Sequence, residues 1–359
     1  MKTDTTTLIR EIEQAKNLGL PFVIYKKPGV VVCQAYIQNS TELHELADFH
    51  QEGFLFAPYQ KRGTTVLFPA VECQKFSAEI RSGNTLSQND YVSNTIEGKE
   101  NETTRARYCS LVNRAVQYIK EGHAEKIVLS RKETVRVAGL NSIALFQKMM
   151  MMYPNAFCYL WWHPQVGEWM GATPETLLHV NEVHIITMAL AGTKPYVDTL
   201  SVSWGEKEKI EQAFVTDFVM DRLGPFLEKI QVEGPFTAKA GSVVHLRTDM
   251  SGILTQEDQV GALVTSLHPT PAICGIQRDV AADFITANEG YDRSFYTGYL
   301  GELNGLQSTA LYVNLRCMEL LKDTINLFIG GGITSDSVPE KEWIETVQKA
   351  AIMKNVLSN

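Results

Sequence analysis

Two short stretches place carboxylates at the same spacing. Residues 205–212 read GEKEKIEQ and residues 339–346 read PEKEWIET. Each carries Glu-x-Glu-x-x-Glu: Glu206, Glu208 and Glu211 in the first, Glu340, Glu342 and Glu345 in the second. On a helix, positions three apart share a face, so Glu208 points with Glu211 and Glu342 with Glu345. Lys207, Lys209 and Lys341 are what a solvated surface helix would carry. Against that, each comb follows a turn, and each face runs on into apolar residues: Phe214 and Phe218 in one, Trp343 and Ala350 in the other. Carboxylates on part-buried helices need compensation, and a divalent cation between two helix starts would supply it. Oxygen ligands with no His or Cys nearby suit a hard ion, Mg²⁺ first. An ion held by two or three carboxylates keeps open positions for a substrate carboxylate.

Other groups are isolated in sequence. Lys126 enters the apolar run KIVLSRK, either as a snorkelling edge residue or, if buried, as an amine able to take a proton. Glu175 follows a Thr-Pro turn in GATPETLL. Gly192 and Thr193 in ALAGTKP could present backbone N–H groups to an anion or form an ordinary turn. SLHPTPAICG is a rigid loop around His268. Arg316, in YVNLRC on an otherwise apolar strand, needs a carboxylate partner, which a ligand could provide. Gly330, Gly331 and Gly332 allow close backbone approach, but form neither a GxGxxG loop nor a Walker A.

The elements that must position these groups are read from periodicity. Residues 5–17 form an amphipathic helix through Leu8, Ile9, Ile12 and Ala15. FVIYKK, VVVCQAY, GFLFAPY and TTVLFPA follow as strands, and the polar residues 80–102 as a loop or linker. Helices are expected over 103–121, 141–152 (with the methionines at 149–152 as core filler), 205–229, 256–266, 276–287 and 339–356. KIVLSRKETVRV, AFCYLWWH, EWMGA, LLHV, VHIITMAL, STALYVNLRCMEL and TINLFIGGGI are expected as strands. Runs of strands broken by helices, without regular βαβ alternation, make the class α+β.

The 359 residues are 44% hydrophobic and 21% charged, ordinary for a globular chain of one large or two smaller domains. A net charge of −8 argues against a nucleic-acid backbone or an anionic membrane as partner, though not against a small anion. The six cysteines form no CxxC pair, which fits reduced thiols better than a zinc ribbon or disulfide scaffold. The first residues lack a signal-peptide apolar core, and no apolar run reaches membrane-span length. A cytoplasmic protein is expected.

Taken in order, KIVLSRK, GATPETLL, ALAGT, EKIEQ, LHPTPAICG, YDRSFYTGYLGEL, LYVNLRC, FIGGGI and EKEWIETVQKA resemble the chorismate-utilising enzymes over about residues 105–357. These include isochorismate, salicylate, anthranilate and aminodeoxychorismate synthases. The resemblance implies an α+β chorismate-binding fold like anthranilate synthase component I. Two antiparallel β-sheets would pack face to face, flanked by helices, with the active site between them. It implies one domain over 1–359, with a variable subregion 1–102 ahead of a catalytic body 103–359. Lys126 matches the lysine of the isochorismate and salicylate branches. Ala191 stands where aminodeoxychorismate synthases often carry a nucleophilic lysine. The pattern implies addition of water rather than amination.

The implied enzyme is an Mg²⁺-dependent isochorismate synthase, an isomerase serving menaquinone or siderophore synthesis and needing no obligate protein partner. A salicylate synthase is the alternative, then an anthranilate-type subunit or a non-catalytic chorismate-binding paralogue. By the same resemblance Lys126 is the base for water and Glu175 the acid for the departing C4 hydroxyl. Glu211 and Glu345, with Glu208 and Glu342, hold Mg²⁺. Arg316 and the amides near Gly330, Gly331 and Gly332 hold the enolpyruvyl carboxylate. Gly192 and Thr193 line the pocket, and Lys349 assists at the ring carboxylate or the metal's waters. Two departures stand out: Gln212 where several relatives carry His, and IQRDVAADFI after PAICG.

Overall fold

The computed structural model describes residues 1–60, 63–80, 102–137, 139–240 and 243–358. Seven α-helices occur among them: α1 (Thr5–Leu18), α2 (Glu102–Lys120), α3 (Ser142–Met152), α4 (Glu206–Leu223), α5 (Val260–Leu267), α6 (Arg278–Asn288) and α7 (Pro339–Leu357). Their ends follow from local chemistry. The Asp4 side chain accepts from the Thr7 amide to start α1, and Gly19, at φ 71°, closes it. Pro339 opens α7 where its missing N–H costs nothing.

The strands form two sheets. In spatial order the first contains Lys2–Thr3, Cys73–Glu79, Val32–Gln38, Phe22–Lys26, Phe157–His163, Gly167–Thr173, Cys317–Leu320, Thr324–Ile333, Lys126–Arg136 and Gly275–Ile276. The second contains Leu227–Ala240, Val243–Leu254, His184–Pro195, Thr176–Asn181, Ser308–Val313, Tyr299–Asn304, Glu52–Ala57, Val66–Pro69 and His44–Glu45. Apart from the parallel pairing of Lys2–Thr3 with Cys73–Glu79, the ladders are antiparallel, for example Gly171 opposite Cys317 and Thr176 opposite Tyr312.

An aromatic layer joins the inner faces. Phe68 stacks on Trp161 at 5.2 Å and Phe157 on Tyr312 at 4.1 Å, each pair spanning the sheets. Such pairs contribute about 0.5–1.5 kcal/mol each beyond their buried area. On the outside, α1, α3 and α7 cover the first sheet through Ile12, Phe146 and Met353. α4 and α5 cover the second through Val215, Val219 and Leu263.

The chain passes between the sheets at two places that matter below. Gly167–Thr173 leads through residues 174–175 into Thr176–Asn181, and Ser308–Val313 leads through residues 314–316 into Cys317–Leu320. The crossings are tied together: the Val313 amide donates to the Glu175 carbonyl (3.0 Å) and the Ala172 amide to the Arg316 carbonyl (3.1 Å).

Several expectations need correction. STALYVNLRCMEL is two strands in different sheets, and Arg316 lies between them at φ 48° rather than on a strand. The helix expected over 205–229 stops at Leu223, and the chain turns back as a hairpin, Leu227–Ala240 with Val243–Leu254, that periodicity did not find. Of the methionine run, Met149 and Met150 are core, but Met151 is 55% exposed. Phe214, expected to be buried, is 40% exposed. The strand expected at TINLFIGGGI is present, with Gly330, Gly331 and Gly332 inside it, paired with Ser130, Leu129 and Val128. Within the loop expected at 80–102, residues 81–101 lie outside the described residues.

One buried ion pair locks the wall beside the first sheet. Arg293 and Glu289, 2% and 1% exposed at their side chains, meet at 2.5 Å. Arg293 also donates to the carbonyls of Val128 (2.7 Å) and Ile273 (3.0 Å), and Glu289 accepts from the Ser130 amide (2.7 Å). Replacing Glu289 by Ala strands a buried guanidinium, and the expected loss is about 3–5 kcal/mol, read from urea unfolding. A loss under ~1 kcal/mol would show that solvent reaches the pair.

Candidate active site

The site residues singled out above all line one cavity of about 240 Å³. Lys126, the first residue of its strand, is 3% exposed, and its ammonium donates to Glu211 Oε1 at 2.6 Å. Glu175 enters from the first sheet crossing and is 5% exposed. Arg316 enters from the second. Gly192 and Thr193 sit at an irregularity in His184–Pro195, where the register against Val243–Leu254 shifts and Gly192 takes φ 66°. The three strand glycines form a floor without side chains. A Cβ on Gly332 would stand 2.8 Å from Lys126 Cε and 3.1 Å from Glu211 Oε1, so a side chain there would displace that pair from its present position.

The two carboxylate combs divide in the same way. The outermost residues stay at the surface: Glu206 pairs with Lys209 at 2.9 Å, and Glu340 with Arg105 at 2.7 Å. Glu208, Glu211, Glu342 and Glu345 turn to the cavity. There Glu345 pairs with Lys349 (2.7 Å), Glu208 lies 3.9 Å from Lys194, and Glu342 accepts from the Ser337 hydroxyl (2.7 Å). Lys349 also donates to the Gly330 carbonyl at 3.1 Å.

This donor set can be weighed against a divalent ion. Four carboxylates from two helices border one space, with hard oxygen donors only. Among the described residues no three His, Cys, Asp or Glu side chains stand close enough to chelate an ion in this arrangement. Lysines hold the carboxylates instead, occupying positions where positive charge is favoured. A hard dication would find oxygen donors here only if Glu211 and Glu345 exchanged their lysines for it.

Glu175 is in a different state. Burial raises its carboxyl to about 7, although Lys126 and Arg316 pull the other way. Desolvation outweighs two nearby cations. Arg316 is brought down to about 10 by burial, and Tyr153 and Glu175 oppose that, so it stays charged at neutral pH.

Sequence reasoning missed His245, on the unrecognised hairpin. It donates from Nδ1 to the Gly192 carbonyl (2.9 Å) and accepts at Nε2 from Arg316 Nη2 (3.0 Å). Burial first, then the Arg316 charge, lowers it to about 3, so it is a neutral acceptor that aims the guanidinium. The apolar–polar alternation of VVHLRTDM was the available signal. Arg131 was missed as well. Its guanidinium lies 4.5 Å over the Trp343 ring and donates to Thr346 Oγ1 at 2.8 Å, seating α7. Gln212 turns away from the carboxylates: its amide donates to the Ala189 carbonyl (3.0 Å) and Thr248 Oγ1 (3.1 Å), fastening α4 to the second sheet.

Residues 64–358 match the family described as "Chorismate binding enzyme". The chain is 27% identical to the salicylate biosynthesis isochorismate synthase of Pseudomonas aeruginosa, over 73% of this chain and 57% of that one. It is 31% identical to isochorismate synthase MenF of Escherichia coli K12, over 70% of this chain and 60% of that one. The match thus spans less than two thirds of either relative's length. DhbC from Bacillus anthracis shares the fold, with a TM-score of 0.81 at 23% identity, covering 98% of this chain and 99% of that one.

The raised carboxyl of Glu175 gives a pH test on folding. Below its ordinary value of 4.5 it is protonated in both states and carries no penalty. Between there and about 7 only the folded chain keeps the proton, so stability falls as pH rises and then levels off. Urea unfolding from pH 5 to 8 is expected to show this decline in wild type and to lack it in Glu175→Gln. Parallel profiles would mean that Glu175 is already ionised in the fold.

Proposed function

The chain belongs to the chorismate binding enzyme family, and from that premise we propose that it is an Mg²⁺-dependent isochorismate synthase, an isomerase of the cytoplasm acting on chorismate without an obligate protein partner. The observation that supports this most is the single cavity bringing Lys126, Arg316 and four carboxylates together with a carboxyl, Glu175, that keeps its proton near neutrality. Among the described residues no helix is long and apolar enough to cross a membrane, and all six cysteines are free thiols.

The reaction exchanges a hydroxyl at C4 for one at C2. Water adds at C2, the ring double bonds shift, and the C4–O bond breaks. Lys126 takes the proton that the attacking water loses. Glu175 gives its proton to the C4 oxygen, which leaves as water. The atoms balance as one water in and one out, and solvent exchange restores both groups. An Mg²⁺ ion held by Glu211 and Glu345, with Glu208 and Glu342 beside them, would neutralise the ring carboxylate and draw charge from C2. To take that proton Lys126 must be the neutral amine, so the ammonium that now donates to Glu211 at 2.6 Å first gives up a proton to solvent. Arg316, aimed by His245, and the glycine floor bind the enolpyruvyl carboxylate. Gly192 and Thr193 close the cavity beside them, and Lys349 steadies the ring carboxylate.

Incubating the protein with chorismate and Mg²⁺ and separating the products is expected to yield isochorismate. Salicylate with pyruvate, or turnover only with ammonia, would replace the proposal with a lyase or an amination. Lys126→Ala is expected to lower turnover about 10²–10⁴-fold while chorismate still binds. Glu345→Ala is expected to raise the Mg²⁺ requirement sharply. Turnover in wild type is expected to decline as pH rises past about 7, where Glu175 loses its proton.

A further inference from the structure

α2 turns Tyr108 inward against α7. The residue is 3% exposed, and its ring centroid lies 6.1 Å from that of Trp343. Among the described residues its hydroxyl has no hydrogen-bond partner. A buried hydroxyl in that state costs about 1–3 kcal/mol, and such groups in native chains call for a specific explanation, often a bound water or ion.

The surroundings point to one. A Cβ placed on Gly331 would stand 3.6 Å from the Tyr108 hydroxyl and 3.7 Å from Glu342 Oε2. Both are ordinary contact distances, so the Tyr108 hydroxyl and Glu342 Oε2 converge on the side of Gly331 where a side chain would stand. That side belongs to the acidic end of the cavity, which Gly331, Glu342 and Glu345 line. Packing against Trp343 needs only the ring of Tyr108, which leaves its oxygen unexplained by the fold.

We propose that Tyr108 is a positioning residue of the metal site, whose hydroxyl, together with Glu342, binds a water of the Mg²⁺ hydration shell. Mg²⁺ gives up its waters reluctantly and keeps several when bound by few carboxylates. Each retained water is a donor and needs an acceptor. The phenol oxygen accepts from such a water, and its own proton is available to Glu342. This assignment rests on the metal reading given above.

Tyr108→Phe removes the oxygen and keeps the ring. Without Mg²⁺ its thermal midpoint is expected to equal or exceed that of wild type. Calorimetric titration with Mg²⁺ is expected to show a Kd raised about 2- to 10-fold. The Mg²⁺ concentration for half-maximal turnover should rise in step, with the KM for chorismate unchanged at saturating Mg²⁺. Gly331→Ala keeps the hydroxyl but sets a methyl on that side, and is expected to raise the Mg²⁺ Kd likewise. Wild-type Kd in both variants overturns the proposal alone. A Tyr108→Phe chain that unfolds, or melts several degrees lower without Mg²⁺, also overturns it, since the hydroxyl would then have a structural partner. Absence of Mg²⁺ binding by wild type overturns it together with the metal reading.

Discussion

The chain changes sheets at residues 174–175 and again at residues 314–316, and each crossing completes the other's hydrogen bonding. Backbone that leaves a ladder inside a protein must find partners or lose free energy. Here the Glu175 carbonyl takes the Val313 amide, and the Arg316 carbonyl takes the Ala172 amide. Asn314, fully buried, adds side-chain bonds to Tyr159 and to the Phe295 carbonyl at 2.7 and 2.8 Å. The crossings therefore stand side by side, and Glu175 and Arg316 project from them into the opening between the sheets. The left-handed backbone of Arg316 is a strained conformation for a residue with a side chain, and it persists because these bonds over-determine it.

Around that opening, carboxyl groups stand in two settings. Glu208, Glu211 and Glu345 each face a lysine, so their charge is met at close range. Glu175 is buried, and the loss of water there exceeds what Lys126 and Arg316 return.

Much of the site was legible because its residues are chemically awkward where they stand. A lysine entering an apolar strand, an arginine among apolar neighbours and two carboxylate combs at helix starts all break the local pattern, and the lysine, the arginine and the inner two glutamates of each comb line the cavity. The two-sheet α+β architecture followed from the family resemblance. Periodicity failed where strands change sheets, because apolar residues flank the crossing at 314–316 on both sides and its polar residues, Asn314 and Arg316, do not by themselves distinguish a change of sheet from one continuous strand. It failed again at 227–254, where a charged, largely exposed strand pairs with one whose burial alternates residue by residue. His245 was lost with that hairpin. Arg131 and Tyr108 could not be found locally, since their roles depend on α7, which arrives some two hundred residues later in the sequence.

The second sheet pairs Phe56 with Leu300, and Glu52–Ala57 has its neighbours at Tyr299–Asn304 and Val66–Pro69. During synthesis at about 5–20 residues per second, roughly 12–50 s separate the emergence of these two partners from the ribosome. Throughout that interval a short aromatic strand, Gly-Phe-Leu-Phe-Ala, has the edge that Tyr299–Asn304 will cover unclaimed. Premature self-association of nascent chains through this segment is the hazard built into the topology, so slow elongation or a holding chaperone bears most heavily on yield before residue 304 has been made.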